Sequence, residues 1–167
     1  MGRICLGIDP GIGRLGYGVV FQQGAKYSAG PYGCLFTSSR DPMEERILYL
    51  FDRVDSLISE LNPDLLSVER LFFGRNSTTA EYVFQIRGTM LLLAARHKIF
   101  LVEPKPAEVK MSVCGNGRAE KIQVQQMISR ILDMGSVPCQ DDAADALAIA
   151  VTGLALWDFQ KKTKSGD

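Results

Sequence analysis

The chain has 167 residues, 46% of them hydrophobic, with 19 basic and 19 acidic side chains and zero net charge. That is apolar material for one self-sufficient core with little room for a second, and its longest apolar runs, such as 90–95, fall far short of the ~20 residues of a membrane span. No secretory leader is recognisable, so a cytoplasmic protein is expected, and the balanced charge leaves any nucleic-acid partner to a local arrangement of basic residues.

Cys5, Cys34, Cys114 and Cys139 lack C-x-x-C spacing, which argues against a zinc ribbon or a disulfide framework and suits structural thiols. In chain order, the apolar run Arg3 to Ile8 reads as a buried strand ending at Asp9, followed by an Asp-Pro-Gly turn in which Gly11 tolerates positive φ. Gly16 to Phe21 is a second strand and Lys26 to Phe36 a third, placed at an edge by Pro31, which cannot donate to a ladder. Asp41-Pro42-Met43-Glu44 then combines an N-cap, a proline in the first turn and a capping-box acid. A helix of apolar period follows to Leu61 and stops at Asn62-Pro63.

Asp64 to Val68 is a short buried strand that ends at Glu69. Thr78 and Glu81 suggest a second capping box for a helix to about His97, and Ile99 to Val102 a fifth strand. Two more helices are expected, Ala119 to Asp133 with Val124, Met127, Ile128 and Ile131 inward, and Asp141 to about Phe159. Residues 1–160 are thus expected to form one domain and 161–167 a disordered tail. The order predicts an α/β fold: a mixed five-stranded sheet, three antiparallel hairpin strands then two parallel strands, with helices on both faces.

The stretch GIDPGIGRLGYGVV, residues 7–20, contains the G-x-G-x-x-G spacing of a dinucleotide loop. That loop requires a helix after the glycines and an acid about 20 residues on for the ribose. Here the glycines lead into a strand, and 31–37 holds no acid. The glycines therefore read as turn formers that keep side chains away from the loop, and Asp9 becomes the informative residue.

Right-handed crossovers bring the Asp64 to Glu69 strand parallel to the first, with Asp9 and Glu69 at one sheet edge. Adjacent carboxylates repel unless a cation lies between them. Asp142 and Asp145, at i and i+3, share one face of the last helix, although D-x-x-D at a helix start also satisfies orphan amides, and Asp141 suits the helix dipole. Four acids on three elements form the oxygen-only set that Mg²⁺ or Mn²⁺ prefers, and a pair of such ions can activate water and stabilise a leaving oxygen in phosphodiester hydrolysis.

GIDPG, VERLFFGRN, QIRG, EVKMSVCGNGRAEKIQVQQM and DAADALAIA together resemble the RuvC family of bacterial Holliday-junction resolvases, within the ribonuclease-H-like superfamily, over nearly the whole chain. The resemblance implies a ribonuclease-H-like fold and a homodimeric, Mg²⁺-dependent, structure-specific endonuclease that resolves four-way DNA junctions by paired nicks in recombination and repair. It implies an acidic tetrad of Asp9, Glu69, Asp142 and Asp145 holding two metal ions, with 5′-phosphate and 3′-hydroxyl products. The branch-migration proteins RuvA and RuvB come with it as candidate partners, and the nucleoid as the site of action.

The family's crossover aromatic matches Phe72, with Phe73 beside it, in a loop that continues to Arg75 and Asn76. A tandem Phe pair is also ordinary core sequence, and which one serves as wedge stays open. Family lysines near the scissile phosphate match Lys110 and Lys121, and Arg118 lies between them, so these are expected DNA contacts, with Arg70 and Arg87 extending the track. The apolar helix from Ala80 to Ala95 suits a dimer surface and a buried core helix equally.

Leu15 and Ile86 depart from the family's usual threonine and alanine without touching chemistry, and His97, the sole histidine, is assigned no catalytic role. Three other functions compete: a ribonuclease-H-like enzyme acting on RNA–DNA hybrid or other branched DNA, a non-catalytic junction binder, and an actin-like ATPase, for which 167 residues leave no second lobe.

Overall fold

The computed structural model describes residues 2–70, 77–136, 138 and 141–164. Its sheet has the order β3-β2-β1-β4-β5, from β1 (Arg3–Asp9), β2 (Arg14–Gln23), β3 (Lys26–Phe36), β4 (Leu65–Val68) and β5 (Phe100–Val102). β1, β2 and β3 form an antiparallel meander, while β4 and β5 add on parallel to β1. The expected three-plus-two mixed sheet is therefore present, with β3 at an edge. Pro31 falls where the β2–β3 register shifts, so its missing N–H interrupts no ladder bond.

Alternation along the strands sorts the two faces. Leu6 and Ile8 of β1, Leu15 and Val19 of β2, and Leu66 and Val68 of β4 belong to a core shared with α1 (Met43–Leu61) and α2 (Ser77–His97). Cys5, Val20 and Leu65 face the other way, into a core with α3 (Pro106–Cys114), α4 (Lys121–Ile131) and α5 (Asp141–Lys164). Period two therefore places Asp9 and Glu69, each one step beyond its strand's last apolar residue, on the α5 face.

α5 lies between the sheet and α3 and α4, which is why it is apolar nearly all round: Ala143, Ala144, Ala146 to Val151 and Leu154 are buried. It can approach because β1 and β2 lack side chains beneath it. A Cβ on Gly7 would stand 2.1 Å from the Ala146 carbonyl oxygen, one on Gly16 2.1 Å from that of Asp142, and one on Gly18 2.8 Å from the Leu147 nitrogen. Ser67 of β4 adds a fixed point by donating to the Ile149 carbonyl at 2.8 Å.

Several local expectations are corrected. α1 begins at Met43 with Pro42 as its cap, and Asp41 makes no capping hydrogen bond. Its far end does stop at Asn62, in the left-handed region at φ 44°, whose N–H reaches the Ile58 carbonyl. α2 begins at Ser77, so Thr78 is already inside the helix rather than its cap. Helix α3 was not expected at all, and α4 starts at Lys121 behind a reach-back from Gln123 to the Glu120 N–H. α5 continues to Lys164, through the first part of the expected tail.

Candidate active site

The loop 10–13 leads directly from β1 into β2 with no intervening helix, so the glycine spacing builds no dinucleotide cradle. Gly11 does not use positive φ; a Cβ there would stand 2.2 Å from the Arg14 carbonyl oxygen, so a tight fold of the loop onto itself demands the glycine. The Thr37 N–H ties the loop to β3 through the Gly13 carbonyl at 3.1 Å.

At this edge the acids converge. Carboxylate oxygens of Asp9, Asp142 and Asp145 lie within 4.8 Å of one another, each side chain partly buried. Two come from the first turn and a half of α5, held over Asp9 by the contact at Gly16, which pairs with Asp9 across the β1–β2 ladder. Glu69 stands outside that trio but lines the same cleft, of roughly 270 Å³, as Asp9, Asp145, Lys110 and Lys121. It reaches the edge because β4 pairs with β1 in parallel, its N–H extending the ladder to the Ile8 carbonyl at 3.3 Å.

The electrostatics show an acid cluster short of positive charge. Burial, then the charges of Asp145 and Asp142, lift the Asp9 carboxyl from 3.8 to about 6 against the pull of Lys121. Burial, then Asp9 and Asp145, lift Glu69 from 4.5 to about 7 against Lys110. Asp145 is also raised, by burial above all, although the Lys121 ammonium donates to it at 2.9 Å. For Lys121 burial works against the charge, but the bond to Asp145 and the charges of Asp145, Asp141 and Asp142 outweigh it and the ammonium is held more firmly. An all-oxygen trio with this unrelieved repulsion fits a hard divalent cation and fits no soft or histidine-preferring metal.

Two neighbours escaped the sequence reading. Arg14 opens β2 on the α5 face, its Nε 3.5 Å from Asp142 Oδ2, and Cys34, paired with Gly16 across β2–β3, has its thiol 3.8 Å from the same oxygen. The alternation Arg14-x-Gly16-x-Gly18 carried that signal for Arg14. Cys34 is pushed up to about 11 by burial and by Asp142, which keeps it a neutral thiol.

Among the expected DNA contacts, Lys110 and Lys121 line the cleft. Arg118 is exposed in the turn before α4 and does not line it, and Arg87 is engaged with Glu103 rather than presented as a phosphate contact. Phe72, Phe73, Arg75 and Asn76 lie outside the described residues. Within α2, Ile86, Met90, Leu93 and Ala94 are buried in the core, whereas Tyr82 and Leu92 are exposed. His97 pairs with Asp55 of α1 at 2.5 Å, away from the acids.

Residues 5–153 match the family model of crossover junction endodeoxyribonuclease RuvC. The chain belongs to the RuvC family. A crossover junction endodeoxyribonuclease RuvC from Alkaliphilus metalliredigens is 47% identical over 161 residues, 96% of this chain and 98% of the relative. The Thermus thermophilus RuvC structure superposes with a TM-score of 0.86 at 32% identity, covering 94% of this chain and 96% of that one. The same protein in complex with Holliday junction substrate gives 0.85 at 30% identity, covering 93% and 96%. These RuvC structures share the five-stranded mixed sheet with flanking helices, so the ribonuclease-H-like architecture expected from the chain is the one it has.

Proposed function

We propose that the chain is a divalent-metal-dependent endonuclease that resolves four-way DNA junctions, with Asp9, Glu69, Asp142 and Asp145 as its catalytic acids. The observation that carries this reading is the convergence of three carboxylates within 4.8 Å, two of which, Asp9 and Asp145, line a cleft together with Glu69, Lys110 and Lys121. Its support from relatives is the family itself and the Thermus thermophilus RuvC described with Holliday junction substrate.

Asp9, Glu69, Asp142 and Asp145 would hold two cations between them, with Mg²⁺ the expected ion and Mn²⁺ a substitute. Such a cation supplies charge neutralisation and water activation for phosphodiester hydrolysis. The protein's own side chains do the rest. Glu69 and Asp9, both raised above the ordinary carboxylate range, would give up whatever proton they hold as the cation is taken up, so loading is favoured as pH rises through about 6 to 7. Lys121 orients Asp145 through its 2.9 Å bond, and its ammonium, half exposed, is available to an incoming phosphate. Lys110, which lines the same cleft, offsets part of the charge of Glu69.

Two symmetric nicks require two sites, and the exposed apolar residues Tyr82 and Leu92 of α2 offer the surface for a homodimer. Phe72 or Phe73 then enters the crossover, with Arg75, Asn76 and Arg118 on the backbone. The enzyme works in the bacterial cytoplasm on the nucleoid, on junctions delivered by RuvA and RuvB. The test is cleavage in Mg²⁺ of a mobile four-way junction against an RNA–DNA hybrid duplex. Paired nicks in opposing strands of the junction are expected; cleavage of the hybrid alone would overturn the reading.

A further inference from the structure

Positive charge brackets the acids from two sides, and only one side is accounted for. Lys110 and Lys121 line the cleft on the β4 and α4 side, where Lys121 engages Asp145 at 2.9 Å and Asp141 at 3.7 Å. On the β2–β3 side stands Arg14. It begins β2, two and four residues before the glycines that admit α5, and so shares their face of the sheet. Its partner across β2–β3 is Phe36, which is exposed on the same edge.

The contact between Arg14 and Asp142 is loose. Nε to Oδ2 is 3.5 Å, beyond a good hydrogen bond, and the Arg14 side chain is 66% exposed against 20% for Asp142. An ion pair this open holds its partner weakly. A cation bound by Asp142 would neutralise the charge that attracts Arg14 and leave a planar guanidinium beside the acids. The anion that the proposed reaction brings to this edge is the DNA backbone, and a guanidinium matches phosphate in the bidentate geometry an ammonium cannot make.

We infer that Arg14 is a positioning residue that binds a backbone phosphate next to the one at the acids, on the opposite side from Lys110 and Lys121. The strand is then gripped on both sides of the bond to be cut, which fixes its path across Asp9. Arg14 acts through that strand rather than on the reacting atoms. This inference rests on the junction-nuclease reading.

The test is the salt dependence of binding to a synthetic four-way junction. It uses the full chain, with Ca²⁺ as the cation that fills the acids, and compares the wild type, Arg14→Gln and Arg14→Lys. Losing one phosphate contact makes the slope of log K against log salt shallower by about 0.9. Arg14→Gln should show that change and bind several-fold more weakly at low salt, while Arg14→Lys keeps the slope. Equal thermal midpoints would show that all three are folded, as expected for so exposed a side chain. In Mg²⁺, Arg14→Gln should raise KM more than it lowers kcat. A wild-type slope in Arg14→Gln, or an Arg14→Lys slope as shallow as that of the glutamine variant, overturns the inference. Wild type that binds the junction while Arg14→Gln matches it removes this inference alone; wild type that fails to bind removes the nuclease reading with it.

Discussion

The repulsion stored in the acid cluster makes Asp9→Asn a test with a sign that a purely structural aspartate would not give. Asp9 titrates at about 6 in the folded, metal-free protein against 3.8 for an ordinary aspartate, with burial the largest cause. Because the folded state holds this proton more tightly than the unfolded chain, the stability it contributes is complete below 3.8 and is lost as pH rises through about 6. At roughly 1.4 kcal/mol per tenfold, the ionised side chain costs the fold about 3 kcal/mol at neutral pH and above.

Asparagine has nearly the same shape and carries no charge. In EDTA at about pH 8, Asp9→Asn should therefore be more stable than wild type by about 1–3 kcal/mol, the lower bound allowing for relaxation of the neighbouring acids. For a chain of this size that is a rise in melting temperature of about 3–10 °C. The gain should shrink to near zero at about pH 4, where the wild-type carboxyl is protonated in the folded state. Saturating Mg²⁺ should narrow or reverse the order, because the wild type gains about 2.7 kcal/mol when the ion is at about 100 times its dissociation constant and the variant gains less. Differential scanning calorimetry at both pH values, with and without Mg²⁺, reads all of this. An Asp9→Asn protein that melts below wild type in EDTA at pH 8 would refute the reasoning.

Three further outcomes follow from the same geometry. Divalent-ion affinity, measured by calorimetry, and junction cleavage should both rise with pH through the range 6 to 7, where Asp9 and Glu69 lose their protons, and a flat profile would contradict the assigned ligands. Lys121→Gln removes the cation bonded to Asp145 and opposing the rise of Asp9; cleavage should fall by about 100-fold with its pH profile displaced upward, and an unshifted profile would count against that role. Gly16→Ala places a methyl 2.1 Å from the Asp142 carbonyl oxygen and should cost about 1–3 kcal/mol while depressing cleavage more than junction binding. Gly13→Ala, with nothing within 4 Å of its Cβ, should stay within about 0.5 kcal/mol of wild type, and similar losses in both variants would refute the close-packing account.

The acid site was legible because it obeys two local rules. Short apolar runs that end in an acid, at Asp9 and Glu69, declare strand ends, and a D-x-x-D on an apolar helix declares one face. The meander was legible for a similar reason, since β-branched and aromatic runs are punctuated by Gly24 and Pro31, and the predicted third strand coincides with β3. Helix α3 was hidden by its length. Nine residues with only Val109 and Val113 buried give a single i, i+4 repeat, too short to stand out as a periodic run, and the other signal was Pro106 with Glu108 reaching back to the Lys105 N–H at 2.7 Å.

Gly16, unlike Gly11, does not serve the turn, because its reason is distant in sequence. Nothing near Gly16 or Gly18 announces that α5, more than 120 residues away, will lie against them, and Gly11 was assigned a backbone sign it does not use. Caps were misassigned at Asp41 and Thr78 because a capping pattern marks a helix start only to within a residue or two. Arg14 and Cys34 were passed over for the same reason as the glycines: each earns its place through Asp142, which only the folded chain brings to it.

The central claim, that these acids hold the catalytic cation, is tested most directly by anomalous diffraction from crystals of the wild-type protein soaked in Mn²⁺. The account predicts manganese peaks bounded by Asp9, Glu69, Asp142 and Asp145, two of them about 3.5–4 Å apart. An acid cluster without manganese, its carboxylates dispersed or still bridged by Lys121 and Arg14, would contradict it.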